Sequence, residues 1–186
     1  MKAFLIGILV VIVVAGIALM GTYNSLVSKS QAIDGQWSQV EVQYQRRFDL
    51  IPNLVESVKG FMTQERTIFD NLAKARQGYA GAQTVDQKAQ AATQVESALG
   101  RLLVIMENYP ELKSNETVAR LMDELSGTEN RVSVERRRFN ELVQDYNTTI
   151  VKFPTNIIAG MMGFSKKAYF EATTGAETAP KVNLNP

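Results

Sequence analysis

The chain contains neither cysteine nor histidine among its 186 residues. The first absence excludes disulfides, thiol nucleophiles and a lipid attached through cysteine, although it says nothing of redox compartment. The second excludes imidazole acid–base chemistry, and the two together exclude Cys/His metal sites and haem attachment. An enzyme built on this chain would have carboxylates, lysine, tyrosine, serine or threonine to work with, which weakens the case for catalysis. Neither sign of charge dominates: 20 basic residues stand against 19 acidic ones, for a net charge of +1. There is no global field to draw nucleic acid or an anionic surface. With 45% hydrophobic residues, the composition is that of a globular chain rather than a disordered one.

What the chain does have is one long apolar run. Residues 3–20, AFLIGILVVIVVAGIALM, carry no charged side chain. As a helix they extend about 27 Å, close to the ~30 Å hydrocarbon core of a bilayer. A cleaved signal peptide competes with a retained anchor: Lys2, residues 4–15 and then Gly16-Ile17-Ala18 fit its pattern loosely. The run continues through Leu19 and Met20, beyond that cut, and this favours a spanning helix. Lys2 and the terminal amine precede the run, while Lys29, offset by Asp34, follows it. The positive-inside rule then places the N-terminus in the cytoplasm and the rest outside.

From Tyr23 the apolar residues recur every seven. One row is Tyr23, Ser30, Trp37, Tyr44, Ile51, Val58, Glu65, Leu72 and Tyr79; the second, offset by three, is Leu26, Ile33, Val40, Arg47, Leu54, Phe61, Ile68 and Ala75. Rows spaced three and four apart share one helix face, so the pattern predicts a long helix over about 22–80 with a single apolar seam. Pro52 lies beside the seam and predicts a kink rather than a stop. Gly60 is a second soft point, and Gly78 and Gly81 end the helix.

Thr84 and Gln87 have capping-box spacing and start a second helix over 84–107, with Val85, Ala92, Val95, Leu99, Leu102 and Met106 on its seam. Pro110 stops it, and Ser114 or Asn115 caps a third over 115–152. That helix repeats Val118, Leu125, Val132, Phe139 and Tyr146. Its seam is interrupted by Glu129, Glu135 and Arg136. These residues reach outward along their alkyl stems, or they form a buried polar layer in which Arg47 meets Glu129 or Glu135. Such a layer would fix helix register.

Three segments carry a resemblance: Arg46-Arg47-Phe48-Asp49-Leu50-Ile51-Pro52-Asn53-Leu54-Val55, then Glu107-Asn108-Tyr109-Pro110-Glu111-Leu112-Lys113, then the run from Asn130-Arg131-Val132 through Phe139-Asn140, Tyr146-Asn147 and Phe153-Pro154 to Gly163-Phe164 and Tyr169-Phe170. With Tyr23-Asn24-Ser25-Leu26-Val27 after the apolar run, the chain resembles the LemA family of bacterial membrane-anchored proteins over nearly its whole length. The resemblance implies an N-terminal membrane segment followed by an antiparallel helical bundle. One relative takes part in shaping magnetosome membranes, which makes membrane organisation one family role. No catalytic residue or cofactor comes with the family.

Residues 155–164 hold Ile157, Ile158, Met161, Met162 and Phe164 and no charge, and predict a short helix that closes one end of the bundle or contacts a membrane or partner. Residues 173–186 are small and polar and predict a flexible tail. The expected protein is therefore all-α: a transmembrane helix over 1–21, then over 22–172 an antiparallel three-to-four-helix up-and-down bundle with a long kinked first helix. Its expected setting is the bacterial inner membrane, single-pass, with the bundle extracytoplasmic. The expected role is that of a non-catalytic scaffold that organises membrane or membrane proteins. It binds lipid through the first helix, self-associates as a homo-oligomer, and takes no cofactor, metal, nucleic acid or small-molecule substrate. An adaptor recruiting one envelope partner protein is the alternative; an enzyme using carboxylates such as Asp49, Glu107 and Glu135 is the remotest.

Overall fold

The structure, a computed structural model, describes residues 2–170. The expected tail over 173–186 lies outside the described residues. Six helices and no strand occur among the described residues: α1 (Lys2–Lys59), α2 (Arg66–Gly81), α3 (Val85–Met106), α4 (Pro110–Lys113), α5 (Glu116–Val151) and α6 (Thr155–Met161). The chain divides into two compact units. Within the described residues, the first comprises 2–45 and 128–169 and the second 46–127 and 170. Both α1 and α5 contribute to each.

α1 is one unbroken helix of 58 residues. Its first part, through Met20, exposes its large apolar side chains on every side, and it is long and apolar enough to cross a membrane. From Leu26 the exposure becomes one-sided. Leu26, Ile33, Trp37, Val40 and Tyr44 are buried in the first unit; Phe48, Ile51, Leu54 and Val58 are buried in the second. These are the seam rows, and they mark the face removed from water. Pro52 lies on the exposed face, where its missing N–H costs least, and the helix runs through it.

The long helix expected to reach residue 80 instead ends at Lys59. Residues 60–65 make a compact turn in which the Phe61 and Met62 amides both donate to the Val58 carbonyl, at 3.0 and 3.1 Å, and the Glu65 amide donates to the Met62 carbonyl at 3.2 Å. Gly60 is the cause legible in the chain, since glycine weakens a helix interior. The turn also exchanges neighbours: Met62 is fully buried and Phe61, expected on the seam, is exposed.

In the second unit α2 packs on α3. Leu72 and Tyr79 are its buried residues, and Tyr79 meets Phe48 edge-on with ring centroids 4.8 Å apart. The capping box forms: the Gln87 amide donates to Thr84 Oγ1 at 3.2 Å, and Gln87 Oε1 accepts from the Thr84 amide at 3.3 Å. Pro110 occupies the first turn of α4, a position that needs no N–H, so the expected connector contains a four-residue helix. Asn115 caps α5 through Oδ1, which accepts from the Val118 amide at 3.2 Å.

In the first unit α1 and α5 are joined by polar ties, which pair a rising number on one with a falling number on the other, and by a ring contact. Lys29 bonds Asp145, Gln36 bonds Glu135, and Trp37 meets Phe139 at 5.7 Å. α6 then folds back and ends in a Schellman cap. Gly163 takes φ 77°, and the Phe164 amide donates to the Ala159 carbonyl at 2.9 Å.

Gly163 and Gly160 have opposite expected responses to alanine. Gly163→Ala forces an L side chain into the left-handed region and costs about 1–2 kcal/mol. Gly160→Ala, in open space within α6, stabilises by up to about 1 kcal/mol. Thermal unfolding of the two variants, followed by circular dichroism in detergent, should move the midpoint in opposite directions.

Candidate functional site

The apolar run ends at Met20, and the first polar side chains after it are handled locally. The Thr22 hydroxyl donates to the Ala18 carbonyl at 2.9 Å within α1, so it needs no partner from water. Tyr23, one position on, meets Phe164 edge-on at 5.8 Å. That contact places the end of α6 beside the end of the apolar run, inside the first unit.

The five residues expected to form a membrane or partner contact separate by face. Ile158 is buried, with Ala159 beside it. Phe164 is half-buried on Tyr23. Ile157, Met161 and Met162 are exposed, Met161 to 77%. Phe153, just before α6, is exposed to 81%, and Val151, at the end of α5, is exposed as well. Lys152 and Lys166, before and after α6 in the chain, are exposed.

Beyond α6 the chain returns along α5. Buried Asn147 holds it with both ends of its amide: Nδ2 donates to the Lys167 carbonyl at 2.8 Å, and Oδ1 accepts from the Lys167 amide at 2.9 Å. Lys167 Nζ in turn reaches Asp34 Oδ1 on α1 at 2.9 Å. Sequence reasoning missed this bracket. Its signal was present, since Asn147 stands four residues after Val143 and three before Ile150, both buried, where an apolar residue belongs. Next to it, burial pushes the Tyr146 phenol above its ordinary range, and the charge of Asp34 adds to the rise.

Of the residues expected to make a polar layer, Arg47 and Glu135 have bonds within their own units. In the second unit Arg47, only 7% exposed, donates from Nη1 to the Leu125 carbonyl on α5 at 2.6 Å. In the first unit Glu135 Oε2 accepts from Gln36 Nε2 at 2.7 Å, and its Oε1 accepts from Arg138 at 3.0 Å. Gln36 also donates to the Glu135 carbonyl at 3.2 Å. Glu129 is half-buried on α5. Among the other carboxylates singled out, Asp49 and Glu107 are exposed, Glu107 at the end of α3.

A shallow groove of about 390 Å³ runs between α2 and α3 in the second unit. Ile68 and Ala98 give it an apolar floor, and Asn71, Lys74, Thr93 and Arg101 supply polar groups. The Tyr109 hydroxyl in this unit donates to Glu65 at 3.5 Å. Its phenol is raised, by lost hydration first and then by the charges of Glu65 and Glu111.

Residues 36–184 match the sequence model of the LemA family. Magnetosome protein MamQ 2 of Paramagnetospirillum magneticum is 30% identical, over 89% of this chain and 71% of its own length. Magnetosome protein MamQ of Magnetospirillum gryphiswaldense is 29% identical, over 86% of this chain and 68% of its own. Protein LemA of Metamycoplasma hominis is 23% identical, over 83% of this chain and 71% of its own.

Asn147→Ala removes two hydrogen bonds and leaves the Lys167 amide and carbonyl unpaired, for an expected loss of roughly 2 kcal/mol; Asn147→Asp, which sets a buried carboxylate oxygen against the Lys167 carbonyl, should lose at least as much. Denaturant titration reads both.

Tyr146 gives a pH dependence. The fold favours its neutral form, so above about pH 10 the unfolded phenol ionises first and binds fewer protons than the folded one. Stability therefore falls as pH rises through this range, and levels once the folded phenol ionises. The stability of wild type relative to Tyr146→Phe should decline between neutral pH and about pH 11; a constant difference would contradict the assignment.

Proposed function

The chain belongs to the LemA family, and from that membership we propose that it is a membrane-anchored, non-catalytic scaffold of the bacterial envelope that self-associates and organises membrane or membrane proteins. One observation carries this reading. The helix that is apolar on all sides and the helix that carries the buried seam are the same helix, α1, with no linker between them. A rigid junction suits a protein that holds an assembly at a fixed attitude to a bilayer. A catalytic domain on a flexible tether has no use for it. The relatives named as magnetosome proteins accord with a role at a membrane.

In this reading residues 1–21 form a single-pass anchor in the inner membrane with its N-terminus in the cytoplasm. The helices over 22–172 form an antiparallel up-and-down bundle outside it. Opposite numbering of the Lys29–Asp145 and Gln36–Glu135 ties supports the antiparallel arrangement in the first unit. The Lys2 flank supports the orientation. Lipid is the partner of the anchor, and further copies of the chain are the partners of the assembly.

The groove between α2 and α3 favours a second reading, an adaptor that recruits one envelope protein. A cleft with an apolar floor and mixed polar walls suits a short segment of a partner.

The mass of the full-length protein in nanodiscs or mild detergent, against that of a chain beginning at Thr22, tests the proposal. A defined full-length oligomer is expected. If the shorter chain is also oligomeric, the helices after the anchor make the interface. If both are monomers, self-association is wrong and the adaptor reading takes its place.

A further inference from the structure

We propose that the tip formed by α6 and its flanks docks on the headgroup region of the same bilayer that holds the apolar run of α1, with a preference for anionic lipid. The inference rests on reading residues 3–20 as a spanning helix. It adds a second point of membrane contact, made by residues more than a hundred positions away in the chain.

Composition and exposure raise the question. A helix whose outer face meets water ordinarily carries charge on that face. α6 and its cap, residues 155–164, carry none, and Ile157, Met161 and Met162 point outward while Ile158 and Ala159 fill the inner side. Phe153 and Val151, which precede α6 in the chain, are exposed apolar residues too.

Position answers it. Tyr23 lies three residues beyond Met20, about 4.5 Å further along the helix axis. If residues 3–20 fill the hydrocarbon, Tyr23 stands at the headgroup level, where tyrosine and tryptophan collect. The Tyr23–Phe164 ring contact then fixes the end of α6 at that level too. The apolar surface of the tip continues the surface already given to lipid.

Charge selects the lipid. The acidic residues on this end of the first unit, Asp34 and Asp145, are bonded to Lys167 and Lys29. Among the described residues, Lys152 and Lys166, exposed before and after the tip in the chain, are left in excess. Apolar side chains flanked by lysines match an interface of acyl chains beneath anionic headgroups.

The chain has no cysteine, so single substitutions label cleanly. Ile157→Cys, Met161→Cys, Val11→Cys in the apolar run and Val104→Cys on α3 would each be made in the full-length protein. Each carries a polarity-sensitive fluorophore in nanodiscs of phosphatidylcholine, with or without phosphatidylglycerol. Nitroxide lipids labelled near the headgroup or at the chain end serve as quenchers. The labels at 157 and 161 should shift to the blue and lose intensity to the headgroup-level quencher, more so with phosphatidylglycerol, while the label at 104 is unchanged. Lys152→Glu with Lys166→Glu should abolish the phosphatidylglycerol increment. Labels at 157 and 161 that behave like 104, with 11 quenched at mid-bilayer, overturn the tip contact alone. No quenching at 11 overturns the anchor and the tip contact together. A blue shift at 161 that grows with protein density and ignores both quenchers assigns the tip to a second copy instead. Either labelled variant that unfolds by circular dichroism is replaced by the other, since the two positions report the same face.

Discussion

The apolar stripe that recurs every three and four residues along α1 and α5 is what every other feature answers to. A side chain taken wholly out of water contributes about 1.5–3 kcal/mol, and Leu26, Ile33, Val40, Ile51, Leu54 and Val58 are all in that state on α1 alone. An exposed ion pair such as Lys29–Asp145 or Lys167–Asp34 contributes about 0–1 kcal/mol. The stripe therefore decides which faces meet, and the polar ties decide where along the faces they settle. In the first part of α1 the stripe has no opposite, polar face. The same chain of hydrogen bonds there runs through a segment whose every side prefers an apolar surrounding.

Buried Arg47 and Asn147 and half-buried Gln36 share one habit: they bond to the backbone. Arg47 takes the Leu125 carbonyl, Asn147 takes both polar groups of Lys167, and Gln36 takes the Glu135 carbonyl as well as its side chain. A bond to a main-chain atom is tied to one level of the partner helix, whereas an aliphatic contact tolerates a slide of an ångström or two. Each of these residues thus reads as a register mark on a seam that would otherwise be uniform.

Much of this was legible beforehand. The seam rows on α1 and α5, the Thr84 cap and the Pro110 stop follow from spacing and from the chemistry of single residues. The turn over 60–65 was not, because Ile68, Leu72, Ala75 and Tyr79 resume the seven-residue spacing beyond it. A periodic pattern in phase on both sides of a turn is indistinguishable from one long helix. The depth of Arg47 was hidden for a related reason: the pattern assigns a face, and depth depends on how closely Leu125 approaches. Ile157 and Ile158 could not be told apart, because residues 155–164 contain no charge to mark the outer side. Asn147 was legible and overlooked; a polar residue on an apolar spacing needed a partner, and the partner was a backbone segment with no pattern of its own.

The absence of a linker after Met20 has a consequence in terms of angle. Each residue of a helix turns the next by about 100°. Because α1 is continuous from the apolar run into the seam, the compass bearing of the seam around the axis of the apolar run is set by a count of residues. One residue inserted between Met20 and Leu26 would swing the unit by about 100° and lift it by about 1.5 Å. Seven inserted residues would restore the bearing to within about 20°, at greater height. A chain with a flexible hinge at that point would average over all bearings. This one holds the seam at a single bearing relative to the apolar run, so the phase of the helix is itself an inherited character of the protein.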